Sequence, residues 1–162
     1  MERKTHITAN EGQQDLVITR EFDLPLDLLF TAYSEAELVE QWMGTTVLQL
    51  DNQKFGGWQF ETKDPKGNVV FRANGVTHDF LPNQRIIRTF EMENSPFPVQ
   101  LEFLEFEKID ANTSKLTMQI VYRSVEDRDK MLKLPFKQGI NIAHNRLQDV
   151  LNKSKTQFSN HG

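Results

Sequence analysis

The chain has 162 residues, a formal net charge of −4 and no cysteine. That length fits one ordinary domain, and the missing thiols exclude a disulfide framework, a thiolate nucleophile and a cysteine-ligated zinc or iron–sulfur site. The acidic balance with scattered Lys and Arg argues against a nucleic-acid surface, and no apolar run approaches the ~20 residues that cross a bilayer.

The polar start, Met1 to His6, has no hydrophobic core of a secretory leader, so a cytoplasmic protein without membrane insertion is expected. Residues 1–14 are polar and aperiodic and are expected to form a flexible tail outside the domain. Leu16, Ile18, Arg20 and Phe22 then alternate with Val17, Thr19 and Glu21 as a first strand. Pro25 suits a helix start, with Leu26, Leu29, Phe30 and Tyr33 at helical spacing. Ser34 and Glu37 have the spacing of a capping box for a second short helix, which carries Leu38 and Trp42 and stops at Gly44.

Strands follow. Thr46–Asp51 is short, and Trp58, Phe60 and Thr62 share one face of the next. The turn Asp64 to Asn68 leads into a long strand, Val69–Phe80, where Gly75 predicts a bulge or bend. Arg85–Glu91, Val99–Lys108 and the row Leu116, Met118, Ile120, Tyr122 complete the set, and tight turns between them imply antiparallel pairing. Ser124 caps a helix over 125–133. Pro135 interrupts it, and residues 136–153 form a terminal helix whose apolar stripe is Phe136, Ile140, Ala143, Leu147 and Leu151, with His144 set into it. The domain is expected to span 15–154, with 155–162 a flexible C-terminal tail. The fold class is α+β, a two-layer domain in which a curved antiparallel sheet of about six to seven strands is covered by one long helix.

The stretches Ile18 to Pro25 with Leu28, Leu29 and Phe30, Glu35 to Trp42, Phe55 to Phe60, and Gly75, Val76 and Leu81 to Ile87 resemble the START-like, or SRPBCC, superfamily. Within it they are most similar to the branch of the activator of heat-shock protein 90 ATPase, over roughly residues 15–152. The resemblance implies a helix-grip fold with a cavity between sheet and terminal helix, which in some members holds hydrophobic ligands. Other members are lipid carriers, cyclases or stress-related co-chaperone domains. The additional N-terminal domain of the eukaryotic co-chaperone is not expected here.

The candidate ligand-binding residues are Trp42, Trp58, Phe60, Phe71, Arg88, Phe103, Ile120, Tyr122, Phe136, Ile140 and His144. Each ring fits either a cavity wall or plain core. Arg88 shares strand parity with Ile86 and Phe90, and needs a carboxylate, an anionic ligand or a head in water. An imidazole in an apolar stripe needs a hydrogen-bonding partner, so His144 is a satisfied core group or a polar anchor. Positions 140 and 148, Ile and Gln, give it no metal-ligating neighbour. Gly56 and Gly57 read as a tight strand entry, since no helix follows to bind an anion. The run Glu126 to Lys130 reads as a solvated helix start. Acid–base candidates reduce to His144 and His78, and no triad, metal or cofactor motif occurs. The expected partner is a hydrophobic or amphipathic small molecule, held by a monomer or weak homodimer. A protein-binding module and a polyketide cyclase-type enzyme are the other readings.

Overall fold

A computed structural model describes the backbone of residues 3–161 and the side chains of residues 3–154. Eight strands form one antiparallel sheet: β1 (His6–Thr8), β2 (Asp15–Phe22), β3 (Thr46–Leu50), β4 (Gly57–Lys63), β5 (Val69–Leu81), β6 (Arg85–Met92), β7 (Gln100–Asp110) and β8 (Thr113–Val121). Their order across the sheet is β1-β2-β8-β7-β6-β5-β4-β3. Helices α1 (Leu26–Ser34) and α2 (Ala36–Met43) follow β2. Helices α3 (Val125–Leu132) and α4 (Phe136–His161) follow β8. This is the helix-grip architecture, with one strand more than expected.

The extra strand lies in the segment expected as a tail. His6–Thr8 pairs with Val17–Thr19 of β2, and Thr5 bonds to α4. The segment carries no apolar periodicity because backbone pairing and polar side chains hold it. At the other end α4 continues to His161, so the backbone stays helical through most of the segment expected as a tail. Side chains from residue 155 onward lie outside the described residues.

Period-2 alternation makes the strands two-faced. In β2 the residues Leu16, Ile18, Arg20 and Phe22 are all buried while their neighbours are not. Register then aligns rows across the sheet. Leu16 opposes Ile120, Ile120 opposes Glu102, and Glu102 opposes Arg88. One row along, Ile18, Met118, Leu104 and Ile86 stand side by side. Leu147 and Leu151 of α4 are wholly buried in the same core, each worth roughly 1.5–3 kcal/mol of apolar burial.

Local signals behave unevenly. Gly44 ends α2 in the left-handed region, φ 63°, with its N–H donating to Glu40 O. Ser124 caps α3 by accepting from Asp127 N at 3.0 Å. The capping box does not form. Ser34 is still helical in α1, Glu35 N donates to Thr31 O, and the extended Glu35 becomes the cap of α2 without a side-chain bond. The turn is one residue too tight for Ser34 to leave α1. In β5 the register shifts between Thr77 and Asp79, not at Gly75. Gly75 instead permits close approach: a Cβ there would stand 1.9 Å from Thr89 O and 2.5 Å from Trp58 Nε1. His78, at the register shift, is exposed and is not among the residues that border the cavity described below. The run after Ser124 is not wholly solvated either. Arg128 is buried and donates to Asn10 O at 2.6 Å and Asp15 O at 3.0 Å, fastening the segment between β1 and β2 to α3.

Candidate ligand cavity

Between α4 and the concave face of the sheet lies a cavity of about 440 Å³, within the range of small-molecule sites. Tyr33 of α1 and Trp42 and Met43 of α2 form one end. Residues of β5 to β8 form the floor, and Met131 of α3 with Phe136, Gly139, Ile140, Ala143 and His144 of α4 form the roof. Gly139 is exposed, borders the cavity, and has no heavy atom within 4 Å of where its Cβ would be. The mouth therefore lies beside the first turns of α4.

Of the residues singled out from the sequence, Trp42, Phe71, Arg88, Ile120, Tyr122, Phe136, Ile140 and His144 border this cavity. Three do not. Trp58 and Phe60 belong to a second buried cluster with Val39 and Ala73. There Trp58 supports the wall from beneath, with its ring 5.5 Å from that of Phe90 and 5.1 Å below the Arg88 guanidinium. Phe103 stands on the opposite face of β7, half-buried, because Gln100, Glu102, Leu104 and Phe106 take the inward parity.

The same parity brings in two polar residues that the sequence reading passed over. Arg88 Nε donates to Glu102 Oε1 at 3.0 Å, and Gln100 Nε2 donates to Glu102 Oε2 at 2.9 Å, all three side chains being buried. The signal was present: Gln100 and Glu102 alternate with Leu101 and Phe103, and Arg88 called for a carboxylate. Tyr33 and the methionines at positions 43, 92, 118 and 131 were also missed. Unbranched thioethers adapt to irregular space. Burial, with the charge of Glu102 adding to it against the relief from Arg88, pushes the Tyr33 phenol far up, so it stays neutral.

The two remaining polar groups of the wall differ. His144 Nδ1 lies 2.7 Å from the Thr5 hydroxyl, which also accepts from Arg20 Nη1 at 3.3 Å. The hydroxyl, with one hydrogen and two lone pairs, can serve either tautomer of the ring. Burial, aided by Arg20, lowers the His144 pKa to about 3, so the ring is neutral. The Tyr122 hydroxyl is buried with no hydrogen-bond partner. Burial raises its pKa well above the usual phenol value, with Glu102 adding to the rise and Arg128 opposing it. Among the described residues no cluster of His, Asp and Glu gathers as a metal site would require.

Sheet, helix and cavity together define an SRPBCC-type helix-grip domain. A family model described as Activator of Hsp90 ATPase homolog 1-like protein matches residues 23–152, and the chain belongs to this family. The fold is similar to the crystal structure of a Rhodobacter sphaeroides protein (TM-score 0.81, 19% identity, 91% of this chain and 98% of that one). It is similar also to that of a Mycobacterium smegmatis protein (0.80, 19%, 91% and 96%). The solution structure of a Staphylococcus epidermidis protein gives 0.78, 20%, 91% and 94%. At these identities the likeness is one of fold. No curated protein matches the chain.

Proposed function

We propose that the protein is a non-catalytic binding domain that holds a hydrophobic or amphipathic small molecule between the sheet and α4. The observation that carries this reading is a concave space of about 440 Å³ beneath α4, lined mainly by aromatic rings, methionines and isoleucines. A core that existed only for stability would close such space, because unfilled volume forfeits contact energy. Affinity would come from apolar burial, at ~25 cal/mol per Å². A catalytic reading is less favoured, since burial lowers the His144 pKa to about 3 and makes it a weak base, and His78 is not among the residues that border the cavity.

The test is titration with the uncharged fluorophore N-phenyl-1-naphthylamine. Saturable one-to-one enhancement is expected, abolished by Gly139→Leu, which adds bulk at a position that borders the cavity and where a Cβ meets no atom of another element within 4 Å. Enhancement that survives Gly139→Leu, or no enhancement at all, would contradict the reading.

A further inference from the structure

The cavity wall is unbalanced in its hydrogen bonding. Both carboxylate oxygens of Glu102, its strongest acceptor, are engaged by Arg88 and Gln100. Several donors are not engaged. The Tyr122 hydroxyl is about nine-tenths buried or more and bonds to nothing. Arg88 uses only its Nε in a hydrogen bond among the described residues. A buried hydroxyl without a partner is uncommon, and it marks either strain or a group missing from the site. Tyr122 has no reason to point inward for packing alone, because a phenylalanine would fill the same volume without stranding an oxygen.

The formal charges of the wall cancel. Arg88 is matched by Glu102, and His144 is neutral. A carboxylate or phosphate brought into this space would lose its water and find the guanidinium charge already balanced by Glu102. Burial, with the charge of Glu102 adding to it against Arg128, keeps the Tyr122 phenol protonated, so it stands as a hydrogen-bond donor and an anion beside it is opposed. Resting on the cavity reading above, we propose that the ligand is an uncharged molecule whose apolar body carries a carbonyl-type acceptor, and that Tyr122 donates the hydrogen bond that orients it. The acceptor lies beside Tyr122, and the apolar body against the rings and methionines that border the cavity.

The test is isothermal titration of the full chain with a matched series: 2-acetylnaphthalene, 2-ethylnaphthalene and 2-naphthoate. The ketone is expected to bind about fivefold more tightly than the hydrocarbon, the ratio set by one neutral hydrogen bond, and the carboxylate most weakly. In Tyr122→Phe the ratio of ketone to hydrocarbon affinity is expected to fall to about one. A second readout does not depend on that variant folding: the infrared carbonyl stretch of the bound ketone moves to lower frequency than in hexane, as a donated hydrogen bond requires. Equal binding of ketone and hydrocarbon, an unshifted stretch, or tightest binding by the carboxylate overturns this inference and leaves the cavity reading intact. Failure of all three probes to bind overturns both.

Discussion

His144 and Tyr122 border the same cavity, yet they meet opposite fates. His144 is embedded in a network with Thr5, Arg20 and Asn141 that ties the edge strand, β2 and α4 together. Its ring also sits edge-on to Phe22 at 5.5 Å. Tyr122, one residue past the end of β8, shares its wall with an ion pair whose carboxylate is already satisfied, and its hydroxyl bonds to nothing. A buried polar group that is satisfied holds a fold together; one that is not satisfied costs stability and marks where something else should be. From the sequence His144 was the more eye-catching of the two. The structure makes Tyr122 the more informative.

The largest effect expected is at the ion pair of the cavity wall. Glu102→Leu strands Arg88 in the interior and should cost about 3–5 kcal/mol, measured by urea unfolding. The double variant Arg88→Met with Glu102→Leu should recover most of that loss. If it does not, the pair contributes more than mutual compensation.

Next is the satisfied side. Thr5→Val removes the partner of His144 Nδ1 and an acceptor of Arg20, and should cost about 1–3 kcal/mol. No loss would mean that the segment before β1 does not brace the helix.

The same network predicts a pH dependence. His144 has an ordinary pKa of 6.5, lowered to about 3 in the folded protein. Below 6.5 the unfolded chain takes up a proton that the folded chain refuses. Stability is therefore full above that value and declines as the pH falls toward 3. Carboxylates held by arginines, such as Glu61 beside Arg72, start from 4.5 and add their own loss at lower pH. The histidine window is thus open between 6.5 and 4.5. A loss on the order of 1 kcal/mol is expected between about pH 7.5 and 5.5, and His144→Gln should flatten it.

The smallest effect sharpens the contrast. Tyr122→Phe, without ligand, should change stability by less than about 1 kcal/mol and toward greater stability, because it removes a buried oxygen with no partner. A marked loss would show that the hydroxyl does structural work and would erase the difference from His144.

Much of this architecture could be read from the chain. Alternation in β2 and β8, Gly44 after α2, Ser124 before α3 and the stripe on α4 all rest on interactions local in sequence. What escaped depends on pairing at a distance. His6–Thr8 and the Thr5 before it have no periodic signature because their partners are the backbone of β2 and, for Thr5, side chains more than a hundred residues away. Trp58 and Phe60 have inward parity but lie beyond the cavity in a separate cluster, a matter of sheet curvature that parity does not encode. Phe103 was chosen for its ring although its parity points outward. Glu102 was overlooked because a charged residue in a strand reads as exposed until register sets it opposite Arg88.

The central claim is that an apolar molecule enters the space beneath α4. The most direct measurement is a set of intermolecular nuclear Overhauser effects between bound N-phenyl-1-naphthylamine and methyl groups of the protein. The account predicts contacts to Met118, Ile120, Met131 and Ile140, which border the cavity. Contacts confined to exposed methyls such as those of Leu48, Val70 and Val99 would contradict it.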